Sequence, residues 1–163
     1  MYIDRKSFYI VCSSAFVGIC FNLLKTVLHN NLTHKIHTIC IDLQIVKNYS
    51  YILGILSESP FIISLLQTTT VLVSLYMLYS SSKYLGKIHF AYILSPWLMF
   101  SGFLGNAIDW FYRGYIIDYL KINIPHNIFY TNLEDIFIET GSILFIIQLL
   151  FRNSVVERIY KKG

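Results

Sequence analysis

The chain has 163 residues, of which 55% are hydrophobic, 17% aromatic and only 13% charged, a balance that water-soluble domains rarely reach. The net charge of +4 is modest, and the basic residues cluster in a pattern that indicates membrane topology rather than nucleic-acid binding, so no nucleic-acid partner is expected. We therefore predict an integral membrane protein with a single membrane domain over residues 1–163, since each crossing takes roughly 20 apolar residues.

Four apolar stretches predict membrane-spanning helices. They cover residues 8–24, 61–79, 89–108 and 136–151. The first lacks a small-residue cleavage site after it and is interpreted as a retained helix rather than a signal peptide. The second begins after Pro60, which is favourable in a first helical turn. The third contains Pro96, which a membrane helix tolerates when neighbouring groups satisfy the freed carbonyl.

Basic residues flank these stretches on one predicted side of the membrane. They precede the first stretch, separate the second from the third, and follow the fourth: Arg5, Lys6, Lys83, Lys87, Arg152, Arg158, Lys161 and Lys162. Because such residues favour the cytoplasm, both termini are predicted to be cytoplasmic. The segments 25–60 and 109–135 are then extracytoplasmic.

Residues 39–56 differ from the apolar stretches in pattern. They mix β-branched and aromatic residues, with alternation around Asp42, Gln44 and Lys47, which predicts a short strand or small sheet at the membrane surface. The predicted fold class is therefore an all-α membrane protein with four spanning helices and a small extracytoplasmic β element.

Acidic residues are scarce, and four of them bracket the segment between the third and fourth stretches: Asp109, Asp118, Glu134 and Asp135. An acid at a membrane boundary is costly unless it faces a polar cavity or a partner, although each could also be a solvated loop residue. Asp109 ends a glycine-containing apolar helix with Asn106 one turn before it, and Asp118 lies in an apolar run. Both features favour packed polar sites.

Two neighbouring carboxyl groups can share one proton, because like charges a few ångströms apart cannot both ionise. Such a pair can activate water for peptide hydrolysis without a metal or a cofactor. His29, His34 and His37 are predicted to lie in the first loop. His34 and His37 have helical spacing, but no third metal ligand is evident beside them. No metal and no cofactor are expected, but spacing alone does not say which two acids form a pair.

Several segments resemble those of the lipoprotein signal peptidase (signal peptidase II) family. Residues 101–109, SGFLGNAID, are similar to its GALGN-x-x-D segment, and residues 114–119, GYIIDY, to its G-x-V-V-D-F segment. TNLED at 131–135, with the residues after it, resembles F-N-x-A-D-x-x-I-x-x-G. VKNYS at 46–50 is similar to the V-x-N-x-G stretch. The resemblance covers nearly the whole chain in order and spacing.

This resemblance implies that Asp118 and Asp135 are the catalytic pair. It further implies a set of supporting or substrate-binding residues: Asn48, Asn106, Asp109, Asn132, Lys25 and Arg113. An asparagine suits such a role because its amide is both a donor and an acceptor. Lys25 matches the lysine of the family's D-x-x-x-K segment and is predicted to lie just past the first helix.

Three positions depart from the family pattern and mark a divergent member. Phe21 stands in place of the acid of the D-x-x-x-K segment, and Trp110 in place of an arginine after Asp109, whose space Arg113 could fill. Glu134 replaces a small residue before the second catalytic acid. We expect its charge to lie beside the pair and to raise the apparent pKa values of the pair.

The resemblance implies an intramembrane aspartic endopeptidase that removes signal peptides from prolipoproteins carrying a diacylglyceryl-modified cysteine. Its partners would be those signal peptides and membrane lipids, and it would act as a monomer in the bacterial cytoplasmic (inner) membrane as a multi-pass protein. The alternatives are a non-catalytic four-helix membrane protein, such as a small transporter, and an inactive paralogue that binds signal helices. Loss of turnover on replacing either acid would separate these hypotheses.

Overall fold

The computed structural model describes residues 5–32, 41–49, 59–83, 90–125 and 127–150. Four helices and three strands form this part of the chain: α1 Arg5–Asn31, β1 Ile41–Asn48, α2 Pro60–Ser82, α3 Ala91–Arg113, β2 Ile116–Ile124, β3 Asn127–Thr131 and α4 Leu133–Leu150. The described fold is thus mostly helical with one small sheet, as the sequence predicted.

The first helix is longer than predicted. It was expected to end at residue 24, but α1 continues to Asn31, because the following residues include neither proline nor glycine. Side chains in this last part bond back to the helix, with Thr26 Oγ1 donating to the Asn22 carbonyl and Asn31 Nδ2 to the Val27 carbonyl, both at 2.8 Å. Lys25 and His29 therefore lie within α1, and their predicted loop position was wrong.

The third helix also extends beyond its predicted end at residue 108. It continues through Asp109 to Arg113, and Gly114 ends it in the left-handed conformation at φ 75°. The N–H of Gly114 donates to the Trp110 carbonyl at 2.8 Å, a C-terminal arrangement that glycine adopts without a steric penalty. Asp109 is therefore a helical residue one turn before the helix end.

The second helix begins where it was predicted, and the fourth begins earlier than predicted. Pro60 occupies the first turn of α2, and the Ser59 hydroxyl accepts from the Ile62 N–H at 3.5 Å. α4 starts at Leu133 instead of residue 136, because the Asn132 side chain caps it by accepting from the Asp135 N–H at 2.8 Å.

The sheet is antiparallel with the order β1-β2-β3. β1 lies inside the predicted β segment 39–56, the rest of which, apart from Tyr49, lies outside the described residues. β2 and β3 come from the segment between α3 and α4, for which no strand had been predicted. The register pairs Val46 with Asp118 and Leu120 with Thr131, so the central strand carries Asp118 between its two neighbours.

Small residues allow α3 to pack closely against α1 and α4. A Cβ atom at Gly18 would lie 2.7 Å from the Ser101 carbonyl oxygen, and one at Gly102 would lie 2.5 Å from the Glu134 carbonyl oxygen. A Cβ at Gly141 would lie 2.8 Å from the Ser95 carbonyl oxygen. Membrane helices commonly use small residues for such close approach.

Two of the described helices, α1 and α2, are long and apolar enough to cross a membrane. Their most apolar windows have a mean hydropathy of 1.8, and only 17% and 22% of the residues in those windows are buried. A core helix of a soluble protein would be mostly buried, whereas these helices turn apolar side chains such as Phe16, Leu23, Leu65 and Tyr76 outward. This exposure fits contact with lipid.

Candidate active site

Asp118 and Asp135 face one cavity of about 1280 Å³. The cavity lies between the sheet and the helices α2, α3 and α4. Asp118 enters it from the central strand β2, and Asp135 from the first turn of α4. Asn48 of β1 and Asn106 of α3 line the same space. By joining the sheet to the helix ends, the structure thus brings together four residues that span 87 positions of the sequence, from Asn48 to Asp135.

Asp118 is 2% exposed and accepts two amide hydrogen bonds. Asn132 Nδ2 donates to its Oδ1 at 2.6 Å, and Asn48 Nδ2 donates to its Oδ2 at 3.0 Å. Burial, followed by the nearby charge of Asp135, raises the pKa of Asp118 to about 6, although the two amides act in the opposite direction. Asp118 therefore keeps its proton to a higher pH than an ordinary aspartic acid does.

Asp135 occupies the third position of α4 and is held by different donors. Asn106 Nδ2 donates to its Oδ1 at 2.7 Å, and Thr131 Oγ1 lies 3.5 Å from its Oδ2. A helix N-terminus also favours a carboxylate over a carboxylic acid. Asn132 links the two acids, because its Oδ1 caps the helix at Asp135 while its Nδ2 bonds to Asp118.

Asp109 lies behind the cavity rather than in it. Its side chain is fully buried and forms ion pairs with Arg113 and, at 3.0 Å, with Lys25. Its Oδ2 also accepts from the backbone N–H of Ile117 at 3.1 Å, directly before Asp118. Asp109 therefore anchors the start of the central strand, and Arg113 does fill the space beside it, as the missing arginine at Trp110 had suggested.

Lys25 and Glu134 meet in the same buried region. The Lys25 ammonium lies 2.8 Å from Asn106 Oδ1 and 2.9 Å from Glu134 Oε1, and both charged side chains are fully buried. Glu134 had been expected to place its charge beside the acid pair. Instead, its carboxylate points to Lys25 between α1, α3 and α4, and it does not line the cavity, so that expectation about its position was wrong.

Sequence reasoning missed several polar residues around the site. The Tyr119 hydroxyl accepts from the Leu133 N–H at 3.2 Å and so helps to begin α4; burial raises the pKa of that hydroxyl above its ordinary value. Gln67 of α2 is 1% exposed and lines the cavity. A polar residue within an otherwise apolar span was the signal that could have indicated Gln67.

The two large residues at divergent positions have structural partners. Phe21 packs edge-on against Phe137 of α4, with ring centroids 4.8 Å apart. Trp110 donates from Nε1 to Ser64 Oγ of α2 at 2.9 Å. Within the described ranges, no group of three or more His, Cys, Asp or Glu side chains is arranged to hold a metal ion, while His34 and His37 lie outside those ranges.

Apolar helices, two of them long enough to cross a membrane, surround a cavity that holds two hydrogen-bonded carboxyl groups. This fold and site define a helical membrane protein with a polar cavity. The family model described as signal peptidase (SPase) II matches residues 14–151. The chain belongs to this family, and its membership makes it a membrane protein of a peptidase family.

Named relatives agree with this assignment. The chain is 30% identical over 129 residues to the lipoprotein signal peptidase of Buchnera aphidicola, a match that covers 75% of this chain and 77% of the relative. It is 28% identical over 109 residues to the lipoprotein signal peptidase of Clostridioides difficile, which covers 67% of this chain and 70% of the relative.

Two solved structures of a bacterial membrane enzyme, determined by the in meso method, share the fold. The structure at 2.3 Å resolution has a TM-score of 0.74 at 24% sequence identity, with 94% of this chain and 92% of that chain covered. The structure at 1.9 Å resolution has a TM-score of 0.70, also at 24% identity, with 91% and 95% covered.

Proposed function

We propose that this chain is an aspartic endopeptidase that removes signal peptides from prolipoproteins with a diacylglyceryl-modified cysteine. The observation that carries the proposal is the position of Asp118 and Asp135 on one cavity in a member of the signal peptidase II family. The two acids have different surroundings, which is what acid–base catalysis by a carboxyl pair requires.

In the proposed reaction, Asp118 begins as the carboxylic acid and Asp135 as the carboxylate. Asp135 takes a proton from a water molecule as the water oxygen attacks the scissile carbonyl carbon, and Asp118 donates its proton to the carbonyl oxygen. The tetrahedral intermediate then collapses. The C–N bond breaks as Asp135 gives its proton to the leaving amine, and the Asp118 carboxylate takes back one hydroxyl proton as the new carboxyl group forms, so both acids return to their starting states. No metal or cofactor takes part in this scheme.

The cavity wall suits an apolar signal peptide in extended form. Several of its lining residues are apolar side chains of the sheet and of α4: Ile116, Ile122, Ile128, Phe129 and Ile136. The sheet covers the acids on one side and reduces the access of bulk water, which strengthens charge interactions in the site. The lipid chains of the substrate would remain in the bilayer beside the exposed helix faces.

The proposed setting is the bacterial cytoplasmic membrane, with α1 to α4 all spanning it and both termini in the cytoplasm. Four spans in alternating directions place the sheet and the acids together on the extracytoplasmic side, where a signal peptide is exposed for cleavage. We further propose that one chain suffices as a monomer, since both acids and their amide partners come from the same chain.

The test is cleavage of a diacylglyceryl-modified prolipoprotein by the purified native chain in detergent, followed by mass spectrometry of the released peptide. The matched substrate carries serine in place of the modified cysteine and so has no lipid. We expect cleavage directly before the modified cysteine and none in the serine substrate. A folded native chain that binds the modified substrate but never cleaves it would instead establish the non-catalytic, signal-helix-binding alternative.

A further inference from the structure

The most unusual group behind the site is a fully buried lysine. Lys25 of α1 has no exposed side-chain surface, and a buried ammonium costs several kcal/mol unless its charge is paired and its N–H groups are used. Its nitrogen lies 2.8 Å from Asn106 Oδ1, 3.0 Å from Asp109 Oδ2 and 2.9 Å from Glu134 Oε1. The Lys25 ammonium thus donates a hydrogen bond to Asn106 and forms ion pairs with the two carboxylates.

Lys25 and Arg113 bring two positive charges to this cluster, and Asp109 and Glu134 bring two negative ones. Asp109 is shared between Lys25 and Arg113, so two cations compete for it. Glu134 adds the second negative charge, and its contact with Lys25 is an ion pair. Among the described residues neither oxygen of the Glu134 carboxylate forms a hydrogen bond, so its contact with Lys25 is one of charge. The ion pair with Lys25 is therefore the interaction that stabilises a carboxylate at position 134.

Lys25 also fixes the direction of the Asn106 amide. An ammonium group has no acceptor atom, so Asn106 must turn its Oδ1 towards Lys25 and its Nδ2 away from it. That Nδ2 is the donor to Asp135 Oδ1 at 2.7 Å. Glu134 contacts Lys25, Lys25 bonds to Asn106, and Asn106 donates a hydrogen bond to Asp135. That last hydrogen bond favours the carboxylate form of Asp135.

The surrounding backbone provides space for this carboxylate. A Cβ at Gly105 would lie 2.8 Å from Glu134 Cγ and 3.2 Å from Glu134 Oε1. The neighbouring position on α1 that could otherwise supply an acid is one turn before Lys25, where the sequence has Phe21. Phe21 packs on Phe137, three residues after Glu134, so position 21 faces the same part of α4.

We propose that Glu134 is a positioning residue for peptide hydrolysis, which acts as the buried counter-charge of Lys25 and replaces an acid absent from position 21. This inference rests on the proposed function and deepens it. Glu134 does not contact the substrate. It keeps Lys25 bonded to Asn106 and thereby keeps Asn106 donating to Asp135.

The experiment moves the acid from α4 to α1. Turnover of a diacylglyceryl-modified prolipoprotein is measured for the native chain, Glu134→Ala, Glu134→Gln, and the double variants Phe21→Asp/Glu134→Ala and Phe21→Leu/Glu134→Ala. We expect Glu134→Ala and Glu134→Gln to lower kcat about tenfold or more with KM changed less than about twofold, since only the positioning of a catalytic group is affected. The Phe21→Asp double variant should regain most of that kcat, because residues 21 and 25 are neighbours on one helix face.

The leucine double variant is the matched control, since it removes the same aromatic ring without supplying a charge. Native kcat in both Glu134→Ala and Glu134→Gln, or equal rescue by Phe21→Leu and Phe21→Asp, would overturn the proposal. Glu134→Gln keeps the size of the side chain and removes only its charge. If the Glu134→Ala protein does not fold stably, the kcat of Glu134→Gln alone shows whether that charge is needed. A native chain without turnover would contradict the proposed function itself, an outcome distinct from an active chain that tolerates loss of Glu134.

Discussion

Three asparagine amides hold the two acids of the cavity, and at Asp118 burial acts against them. Asn48 and Asn132 donate to Asp118, which burial and the charge of Asp135 nevertheless drive towards its protonated form. Asn106 donates to Asp135. A pair of chemically identical side chains is thus made unequal by its surroundings, as catalysis by one acid and one base requires.

The pH dependence of kcat/KM follows from the raised pKa of Asp118. We expect kcat/KM to fall as pH rises through about 6, because Asp118 then loses the proton that it must donate. Asn48→Ala removes a donor that favours ionised Asp118, so the pKa should rise and the falling limb should move to higher pH. A limb that moves to lower pH in this variant would contradict the assigned role.

Asn132 combines a structural and a catalytic contact that two substitutions can separate. Asn132→Ser keeps an oxygen able to cap α4 but cannot reach Asp118, whereas Asn132→Ala loses both contacts. We expect only the alanine variant to lose about 1 kcal/mol of stability from the missing cap, seen as a lower Tm in detergent, while both lose turnover to a similar extent. Native turnover in Asn132→Ser would show that the contact with Asp118 is dispensable.

The residues of the site could be predicted from the sequence mainly because their motifs resemble a known family. Asp118, Asp135 and the three asparagines are local parts of such motifs. The pairing of Glu134 with Lys25 joins residues 109 positions apart, and no pattern along the chain indicates which cation a buried acid will meet. Its expected position beside the pair was therefore wrong.

At the scale of elements, α3 organises the fold because the other three helices pack on it. It approaches α1 and α4 closely through Gly18, Gly102, Gly105 and Gly141, each of which faces a backbone or side-chain atom that a Cβ would strike. These close approaches fix the position of the first turn of α4, and hence of Asp135, relative to Asn106.

Gly102→Ala tests this packing directly. Its Cβ would lie 2.5 Å from the Glu134 carbonyl oxygen and 2.7 Å from Ile138 Cγ1, so α4 must shift, at a cost of roughly 1–3 kcal/mol. Gly114→Ala is the contrast, since nothing lies within 4 Å and only its φ of 75° opposes a side chain. We expect thermal unfolding in detergent to show lower stability in both, with turnover lost mainly in Gly102→Ala.

The sequence predicted the existence of all four helices but misplaced several of their ends. Polar Lys25 and Asp109 looked like residues at a water boundary, whereas both are buried in ion pairs that allow their helices to continue. β2 and β3 were not predicted from the run between α3 and α4. Its residues 116–124, IIDYLKINI, are rich in β-branched side chains, which was the available signal.

At the scale of the whole molecule, the described structure separates two surfaces. Apolar side chains of α1 and α2 point outward along the helices, while the sheet, the acids and their amide partners gather where α1 and α3 end and α2 and α4 begin. This division suits an enzyme that works at the surface of a bilayer on a substrate whose lipid and signal helix remain within it.

The proposed orientation can be measured with single cysteines. In a chain with Cys12, Cys20 and Cys40 replaced by serine, Asn127→Cys of β3 should react with a membrane-impermeant reagent in intact spheroplasts. Phe90→Cys, directly before α3, should react only after permeabilisation, because the neighbouring lysines predict a cytoplasmic position for that loop. The reverse labelling pattern would contradict the proposed topology.

The most direct test of Asp118 and Asp135 as the catalytic pair compares the turnover of three variants, each with one aspartate replaced by asparagine. Asp118→Asn, Asp135→Asn and Asp42→Asn each remove one carboxylate, and Asp42 is a buried acid of the same sheet that binds Lys121 and Asn123 outside the cavity. We predict that the first two variants lose at least about 1000-fold in kcat on a diacylglyceryl-modified prolipoprotein, while Asp42→Asn stays within about fivefold of the native chain. Substantial turnover in a folded Asp118→Asn or Asp135→Asn variant would contradict the account.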